Sequence, residues 1–455
     1  MGIVIGSKNN PLIQKIITTL HQNGYKAYIA GGAVRDMLLN QVPDDVDILT
    51  NASTRTVAAL FANTRQVGKS FPICLVDGVE VASCRAGDAI DFPADDLGMR
   101  DFTINSMAWD SVSKTLVDPF SGKRDLADKI IRFTRDPGER IFEDPLRMIR
   151  ACRFVARLVG VLSDASLAAI LTHASLIDPA NGKVTGERIQ MELIKAMGLT
   201  KPSLFFRSLH ETGLLAWILP CLDRCFDLDG GPHHGETVFE HCLLVGDALP
   251  ANRPLLRLAG FLHDAGKFDA VRIKEGKLTF AGHEKFFDAI QTDLERLRFS
   301  SRHKTYILSL VQAHMRPLTE ETTPKATRRL LAMLDSHHLS FRDFLRMRIA
   351  DKKGNLAKSP YTLAQIRVRL KKIQDELSGR TAFNLNDLDI SGNDIIEALD
   401  LEPGPEIGRI KELLFERVLE DPSLNTRANL ESLLKGISLQ TIGQRRYKKG
   451  FNQRI

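Results

Sequence analysis

Hydrophobic periodicity changes once along this chain, and that change constrains the fold more than any other feature. The first part contains short β-branched runs, KAYIAGG (26–32), DVDILT (45–50) and GVEVASCR (78–85), which predict strands alternating with helices. After VDPFSGKRDLADKIIRF (117–133) the apolar residues recur at helical spacing and continue to do so. We therefore expect an α+β fold, in which a small mixed sheet with helices precedes a large all-α region.

Composition places the chain among ordinary globular proteins. It is 43% hydrophobic and 26% charged, and its 455 residues exceed what one core usually serves. No apolar run reaches the roughly 18 residues of a membrane span, so we expect a cytoplasmic protein without a membrane partner. The six cysteines lack paired zinc spacing, which favours reduced thiols. The net charge of +6 permits a polyanionic partner without requiring one.

A glycine turn marks the first candidate site. Gly31 and Gly32 follow an apolar strand and precede a predicted helix. Glycines at such a turn let backbone N–H groups approach a phosphate, and the helix N-terminus favours negative charge. Arg35, one turn into the helix, adds a cation. A plain tight turn is the simpler explanation of the two glycines alone, so the acidic residues that follow decide their meaning.

Three acidic residues follow the glycine turn. Asp45 and Asp47 are two positions apart in a predicted strand, so both side chains should point to one face. Glu80 lies in a further predicted strand. Three carboxylates beside a phosphate-binding turn suit Mg²⁺, and two such ions can activate a 3′-hydroxyl and stabilise departing pyrophosphate. The alternative is a solvated acidic edge, but the turn before it and Glu80 after it favour the metal site.

Two later segments carry arginines and acids suited to a nucleotide. RDFTINSMAWD begins with Arg100 and Asp101, which we expect at the entry to a strand, either holding a ribose hydroxyl or forming a surface ion pair. EDPLRMIRACRFVAR predicts a helix with a polar stripe at steps of three and four, formed by Asp144, Arg147, Arg150, Arg153 and Arg157. Guanidinium and carboxylate groups on one face can pair with a base edge or grip phosphate, although a solvated helix face fits the same pattern.

Five ordered segments resemble motifs A to E of class II tRNA nucleotidyltransferases and bacterial poly(A) polymerases. They are GGAVRDMLLNQVPDDVDILT, RDFTINSMAWD, LVDPFSGKRDLADKIIRF, EDPLRMIRACRFVARL and GERIQMEL, within roughly residues 25–200. The resemblance implies a polymerase-β-type nucleotidyltransferase head followed by a helical neck, body and tail. It also implies that the protein itself, rather than a nucleic-acid template, selects the base.

Position within these motifs implies a role for each candidate residue. Asp45 and Asp47 would bind Mg²⁺, with Glu80 as the third catalytic acid. The nucleotide would be contacted by Gly31, Gly32, Arg35, Arg100, Asp101, Asp144, Arg147, Arg150 and Arg153. Among them, Asp144 and Arg147 would read the Watson–Crick edge of CTP or ATP.

Two departures from the family pattern bear on the product. Met99 stands where motif B normally has a first arginine. The segment VASCRAGDAIDFPADDLGM (81–99) is shorter than the loop that helps full CCA-adding members switch from C to A, and it resembles members that add only CC. We therefore favour CC addition slightly over CCA addition. The nearest rival is poly(A) addition, although VGKSFPICLV (67–76) lacks the double-basic signature of those enzymes.

A second constellation is an ordered series of histidines and aspartates: His241, His263, Asp264, His283, His314 and Asp351. Histidines and carboxylates on several helices suit a transition-metal or mixed binuclear site, whose bound water attacks phosphoesters. The adjacent His-Asp pair and the order of the series resemble the HD-superfamily phosphohydrolases. This resemblance implies phosphatase or cyclic phosphodiesterase action with a divalent transition metal or Mg²⁺. His233 and His234 either support the site or belong to a loop.

These patterns predict four segments: a head (1–135), a neck that binds the base and RNA (136–220), an HD domain (221–358) and an RNA-binding tail (359–455) ending in RRYKKGFNQRI. The predicted partners are the acceptor arm of tRNA, CTP and, for full CCA addition, ATP. The rival from another class is an HD phosphohydrolase whose head only binds RNA. The sequence carries no prediction of oligomeric state.

Overall fold

The protein is described here by a computed structural model covering residues 10–67, 73–84, 91–319, 321–378 and 382–436. The chain packs as two compact units, one of Met1–Asp223 with Asp293–Phe299 and one of Arg224–Thr292 with Ser300–Ile455. The finer division into head, neck, HD domain and tail stays a prediction. In the described ranges, no helix combines the length and the apolar character that crossing a membrane requires.

The first unit begins with a seven-stranded mixed sheet. Its strands are β1 (Ala27–Ala30), β2 (Asp47–Thr50), β3 (Thr64–Val67), β4 (Ile73–Val76), β5 (Val79–Ser83), β6 (Ala108–Asp110) and β7 (Thr115–Val117). Their order is β3-β4-β5-β2-β1-β6-β7, with β2 antiparallel to β1 and parallel to β5. The β-branched residues Ile29, Ile48 and Val81 are fully buried on these central strands. The predicted mixed sheet is confirmed.

Helices complete the first unit. They are α1 (Asn10–Gln22), α2 (Gly32–Leu38), α3 (Thr54–Leu60), α4 (Ala94–Leu97), α5 (Gly122–Ala127), α6 (Pro137–Glu143), α7 (Leu146–Leu158), α8 (Asp164–His173), α9 (Gly186–Met197), α10 (Ser203–Glu211), α11 (Leu215–Ile218) and α12 (Pro220–Asp223). A short parallel pair, β8 (Ile130–Ile131) and β9 (Val161–Leu162), flanks α7. The predicted change from sheet to helix after residue 133 is therefore confirmed.

Asp45 does not lie in the same strand as Asp47, so that prediction is wrong. Strand β2 begins at Asp47, which pairs with Ala30, the last residue of β1. Because the chain turns at Gly31 into α2, the positions before Asp47 have no partner residue in β1. Asp45 instead approaches the sheet from the exposed segment that precedes β2.

Two other local predictions are also wrong. Arg100 and Asp101 do not enter a strand but precede a 3₁₀ helix, Thr103–Asn105, because the Asn105 and Ser106 side chains bond back to this segment. Asp144 is not on the helix that carries Arg147. Pro145 disfavours helical geometry in the preceding residue, so Asp144 is extended and α7 begins at Leu146.

The described residues of the second unit form mainly helices, together with one small hairpin. Its helices are α13 (Val238–Ala248), α14 (Pro254–Leu262), α15 (Lys267–Ala270), α16 (Asp288–Arg296, whose end belongs to the first unit), α17 (Ser301–Ala313), α18 (Pro324–Ser336), α19 (Phe341–Gly354), α20 (Leu363–Ser378), α21 (Gly392–Leu399), α22 (Pro405–Glu420) and α23 (Arg427–Lys435). The hairpin is β10 (Arg272–Lys274) with β11 (Lys277–Thr279). The basic segment 445–455 lies outside the described residues, as do residues 85–90 of the short segment 81–99.

Candidate active sites

The three predicted catalytic acids meet at one edge of the first unit's sheet. Strands β2 and β5 run parallel with Ile48 opposite Val81, so Asp47 and Glu80, one position earlier on each strand, are neighbours. Partial burial, and after it the charges of Asp47 and Asp45, raise the pKa of the Glu80 carboxyl. Mutual repulsion among three carboxylates is the situation that a bound divalent cation relieves, so this donor set fits such an ion.

The glycine turn brings a guanidinium against the backbone. Gly31 has φ +75°, and its N–H donates to Met107 O at 3.0 Å. A Cβ at Gly31 would lie only 2.2 Å from Nη1 of Arg100. Glycine is therefore required here both by the backbone conformation and by the approach of Arg100. Two of the predicted nucleotide-binding residues are thus adjacent, although they are 69 positions apart in the sequence.

Gly31→Ala is expected to cost about 3 kcal/mol of stability, because only glycine readily adopts φ +75° with ψ −132°, and the Arg100 guanidinium would also have to move. Gly24→Ala is the matched control, since Gly24 has φ +82° but no atom within 4 Å of its would-be Cβ. It should cost about 1 kcal/mol. Chemical unfolding of both variants gives the comparison. Equal losses would contradict a backbone conformation at Gly31 that excludes other residues.

A cavity of about 240 Å³ collects most of the predicted nucleotide-binding residues. Its lining consists of Met99, Arg100, Asp101, Asp144, Leu146, Arg147, Arg150 and Arg188. Five of the predicted residues therefore line the same cavity, together with Arg188, which the sequence did not single out. Four arginines and two aspartates give this cavity the hydrogen-bonding groups that a nucleotide requires.

Asp101 is fixed by a network of donors. One carboxylate oxygen accepts from Arg150 Nε at 2.9 Å and Nη2 at 2.6 Å, and the other accepts from Asn105 Nδ2 at 2.9 Å. Burial alone would raise the pKa of Asp101, but Arg150 and these hydrogen bonds lower it. Asp101 is therefore an ionised acceptor, and it positions Arg150 at the cavity wall.

Asp144 and Arg147 are each held by a neighbour of opposite charge. Arg188, on α9, donates to both carboxylate oxygens of Asp144, at 3.1 and 2.8 Å. Arg147 Nη1 donates to Glu143 Oε2 at 2.7 Å. Each carboxylate oxygen has two lone pairs and each guanidinium five N–H donors, so both groups keep hydrogen-bonding capacity toward the cavity. Arg188 lies in GERIQMEL, and its bidentate partner could be recognised only in three dimensions.

Arg35 and Arg153 do not line this cavity. Arg35 is buried, donates to Asn105 Oδ1 at 2.5 Å and pairs with Asp36 at 2.9 Å; burial lowers its pKa. Arg153 is buried too, and its Nε lies 2.5 Å from Oε2 of Glu192, a residue that the sequence did not single out. These contacts link neighbouring helices, and both guanidinium groups lie outside the cavity lining.

The second unit assembles the predicted histidines and aspartates around Asp264. Oδ1 of Asp264 lies 2.9 Å from His283 Nε2 and 3.4 Å from His314 Nε2. Its other oxygen, Oδ2, lies 3.4 Å from His263 Nε2 and 3.6 Å from His241 Nε2. The two oxygens thus face two different pairs of histidines, as expected for a carboxylate able to bridge two ions.

Asp351 completes the predicted set. Its Oδ1 lies 3.2 Å from His241 Nε2 and 3.9 Å from His263 Nε2. Although burial opposes it, the hydrogen bond with His241 lowers the pKa of Asp351. All six residues predicted from the HD-like series therefore converge, from positions spread over 111 residues of sequence.

The histidines are oriented as metal ligands. In His263, His283 and His314, Nδ1 lies 2.5 to 3.0 Å from the carbonyl oxygen three residues earlier, which directs Nε2 toward Asp264. Nε2 of His263 is buried without a hydrogen-bond partner, and burial lowers the pKa of His263 to about 3. An unprotonated, unpartnered Nε2 beside carboxylates fits a divalent transition metal.

Two further residues join this cluster without having been predicted. Glu236 Oε1 lies 2.8 Å from Nδ1 of His234 and 3.1 Å from Nδ1 of His241. Lys267 Nζ lies 2.8 Å from Asp264 Oδ2. The spacing from Asp264 to Lys267, one helical turn, was the only sequence signal for this lysine. His234, which the sequence left open, belongs to the site.

A cavity of about 630 Å³ opens beside the cluster. Its lining includes Asp264, His283, His314 and Asp351, and four cationic residues, Lys267, Arg348, Lys352 and Lys358. Arg348 Nη1 donates to His314 O at 2.7 Å, so one of these cations is fixed at the cluster itself. A metal-binding centre in a basic cavity suits an anionic substrate.

Three family models match successive parts of the chain: the poly(A) polymerase head domain (27–132), the probable RNA- and SrmB-binding site of polymerase A (162–226) and the HD domain (233–369). A multifunctional CCA protein of Xanthomonas campestris pv. campestris is 31% identical over 417 residues, covering 84% of this chain and 95% of that protein.

Other relatives match over shorter lengths. A CC-adding tRNA nucleotidyltransferase of Halalkalibacterium halodurans is 38% identical over 207 residues, 45% of this chain, and a CCA-adding enzyme of a Geobacillus species is 37% identical over 241 residues, 50% of this chain. The matches span 52% and 58% of the lengths of these two relatives.

Solved structures of CCA-adding enzymes have the same fold. The crystal structure of the Bacillus stearothermophilus CCA-adding enzyme in complex with CTP aligns over 97% of this chain and 99% of that one, with TM-score 0.65 and 24% identity. The head, the helical regions and the long match to the Xanthomonas protein agree with the motifs in the sequence. The chain belongs to the family of class II tRNA nucleotidyltransferases and bacterial poly(A) polymerases that carry an HD domain.

Proposed function

We propose that the first unit is a template-independent tRNA nucleotidyltransferase, which adds CMP to the 3′ end of tRNA and releases pyrophosphate. The observation that carries this proposal is the cavity in which Asp144 and Arg147, each fixed by a neighbouring charge, stand beside Arg100, Asp101 and Arg150. The relatives named above as CC- or CCA-adding enzymes support it.

Base choice follows from the two fixed groups. Asp144 can accept from the amino group of cytosine or adenine, and Arg147 can donate to the ring nitrogen beside it. Uracil and guanine present a carbonyl where this amino group would be, so they offer an acceptor to a carboxylate that is itself an acceptor. A cavity with these two side chains therefore favours CTP and ATP over UTP and GTP.

Catalysis is assigned to the acidic edge. Asp45, Asp47 and Glu80 would hold Mg²⁺, which when bound activates the tRNA 3′-hydroxyl and neutralises the departing pyrophosphate. The backbone at Gly31 and Gly32, together with Arg100, would hold the triphosphate, and Asp101 would contact the ribose. Arg35 and Arg153 would act by packing rather than by contact with the nucleotide, because both are buried away from the cavity lining.

The proposed product is CC, with AMP addition as the second outcome. The segment 81–99 is short, which favours CC addition. A discriminator-ended tRNA offered CTP, ATP or both distinguishes the outcomes by product length. CC addition predicts two added nucleotides whether or not ATP is present. Three added nucleotides with both substrates would replace CC by CCA addition, and long A-tails would favour the poly(A) polymerase reading.

Arg188→Met is expected to raise KM for CTP about tenfold, because Asp144 loses two charge-assisted hydrogen bonds that orient it. Discrimination against UTP should weaken in parallel. Arg188→Lys should restore only part of the affinity for CTP and of the discrimination against UTP, since an ammonium cannot bind both carboxylate oxygens of Asp144 as a guanidinium does. Arg124→Met, at an exposed arginine of the first unit, is the control and should leave steady-state kinetics unchanged. An unchanged KM in Arg188→Met would contradict this positioning role.

For the second unit we propose metal-dependent phosphohydrolysis. The observation that favours it is the convergence of four histidine Nε2 atoms on the carboxylates of Asp264 and Asp351. A divalent transition metal or Mg²⁺, when bound, supplies a water nucleophile for a phosphoester. Hydrolysis without any nucleotide addition would favour the rival in which the head only binds RNA.

A further inference from the structure

Lys267 is a cation buried in the wall of the second unit's cavity. Its side chain is 5% exposed overall, and its Nζ lies 2.8 Å from Asp264 Oδ2 and 3.3 Å from His234 Nε2. The same ammonium lies 5.3 Å from the ring centroid of Phe280. Burying an ammonium is costly unless its partners compensate, so this position must be held by specific contacts.

The contacts of His234 identify what holds it. An ammonium only donates, so Nε2 of His234 accepts from Lys267 and the ring proton lies on Nδ1. That Nδ1 is 2.8 Å from Glu236 Oε1, to which it donates. Glu236 also lies 3.1 Å from Nδ1 of His241. Glu236 therefore fixes the tautomer of His234 and leaves its Nε2 for Lys267. The same carboxylate places a negative charge beside His241, whose Nε2 faces Asp264 and Asp351.

We propose that Lys267 is a phosphoryl-binding residue of this cavity and that Glu236 positions it through His234 while placing a negative charge beside His241. This inference rests on the proposed phosphohydrolase function. Lys267 has three N–H donors and uses two on Asp264 and His234, so one is available for an anion beside the cluster.

The surrounding charges support a phosphoryl ligand. Lys352 and Lys358 line the same cavity, with Lys358 exposed and Lys352 half-buried, whereas Lys267 is buried. An anion entering the cavity thus meets cations of increasing burial and ends at Lys267, next to Asp264. Because less water surrounds Lys267 than the other two lysines, the attraction between its ammonium and an anion is stronger. This is the end of the cavity where the phosphoester must be held for attack. The competing explanation is that Lys267 only neutralises Asp264.

Two titrations separate these explanations. Mn²⁺ affinity is measured first, and the affinity of the Mn²⁺-loaded chain for inorganic phosphate second. In Lys267→Met we expect phosphate to bind at least tenfold more weakly while Mn²⁺ binds at least as tightly as in the wild type. In Glu236→Gln we expect both affinities to fall about tenfold, because the neutral amide is a weaker acceptor for His234 and removes the negative charge beside His241. Lys277→Met, at the exposed first residue of strand β11, is the matched control for loss of one positive charge and should change neither affinity.

The Mn²⁺ titration also tests folding. If Lys267→Met keeps its Mn²⁺ affinity, its metal site is folded, and a weaker affinity for phosphate is not due to misfolding. Phosphate affinity equal to the wild type in Lys267→Met would overturn the phosphoryl-binding role. Unchanged Mn²⁺ and phosphate affinities in Glu236→Gln would overturn the positioning role. A wild-type chain that binds neither Mn²⁺ nor phosphate would overturn the proposed phosphohydrolase function, and this inference with it.

Discussion

Asp45→Asn is expected to lower the rate of CMP addition about a thousandfold, because an amide cannot supply the charge that holds a divalent cation at the transferring phosphate. Asp45 is exposed, and together with Asp47 it raises the pKa of Glu80, so the three carboxylates share one electrostatic field. The variant should fold normally, since no core contact is removed. The measurement is single-turnover incorporation of labelled CMP into tRNA at saturating CTP.

Asp44→Asn is the matched control for the Asp45 variant. Asp44 is the adjacent exposed acid, and it does not appear among the charges that shift Glu80. It should keep CMP addition near the wild-type rate. Phosphoester hydrolysis by the second unit should be unchanged in both variants. Equal loss of CMP addition in the two variants would indicate a general effect of acidic charge and would contradict a metal-binding role specific to Asp45.

His263→Asn is expected to weaken Mn²⁺ binding at the second unit at least about a hundredfold and to abolish phosphoester hydrolysis. The reason is geometric: Nε2 of His263 is buried, lacks a hydrogen-bond partner and faces Asp264 and Asp351. CMP addition by the first unit should continue. Metal titration and hydrolysis of a chromogenic phosphodiester, with and without chelator, measure the two losses.

His303→Asn provides the comparison for the His263 variant. His303 lies on α17 in the same unit but outside the metal-binding groups found among the described residues. Its substitution should leave both metal binding and hydrolysis unchanged. If His263→Asn retained wild-type metal affinity, the cluster around Asp264 would have to be a hydrogen-bonded core rather than a metal centre.

Ordered motifs allowed most of the residues that the structure brings together in the two candidate sites to be predicted from sequence. The HD-like series is the clearest case, because each member lies on or next to a helix and all six members converge. The acidic edge was located correctly by its strand pattern and glycine turn, yet the strand itself begins only at Asp47. Strand length depends on the partner β1, whose last residue is Ala30, and that pairing is not written in the local sequence.

Residues that act through a distant partner were the ones missed. Arg188 is 44 positions from Asp144 and Glu192 is 39 from Arg153, and neither pairing has a local signature. The regular spacing of the arginines predicts a shared face, and Arg150 and Arg153 both pair with Glu192. Of these two arginines, Arg150 also lines the cavity, whereas Arg153 is buried. Helical periodicity sets direction around an axis, and packing of α9 against α7 then decides which arginines reach the cavity.

The most direct test of the account is incorporation of CMP into a tRNA that ends at its discriminator base, with CTP and Mg²⁺ and no other nucleic acid. We predict addition of CMP to the 3′ end, with one pyrophosphate released for each nucleotide added. Absence of incorporation by a folded, metal-supplied chain would contradict the assignment of nucleotidyl transfer to Asp45, Asp47 and Glu80.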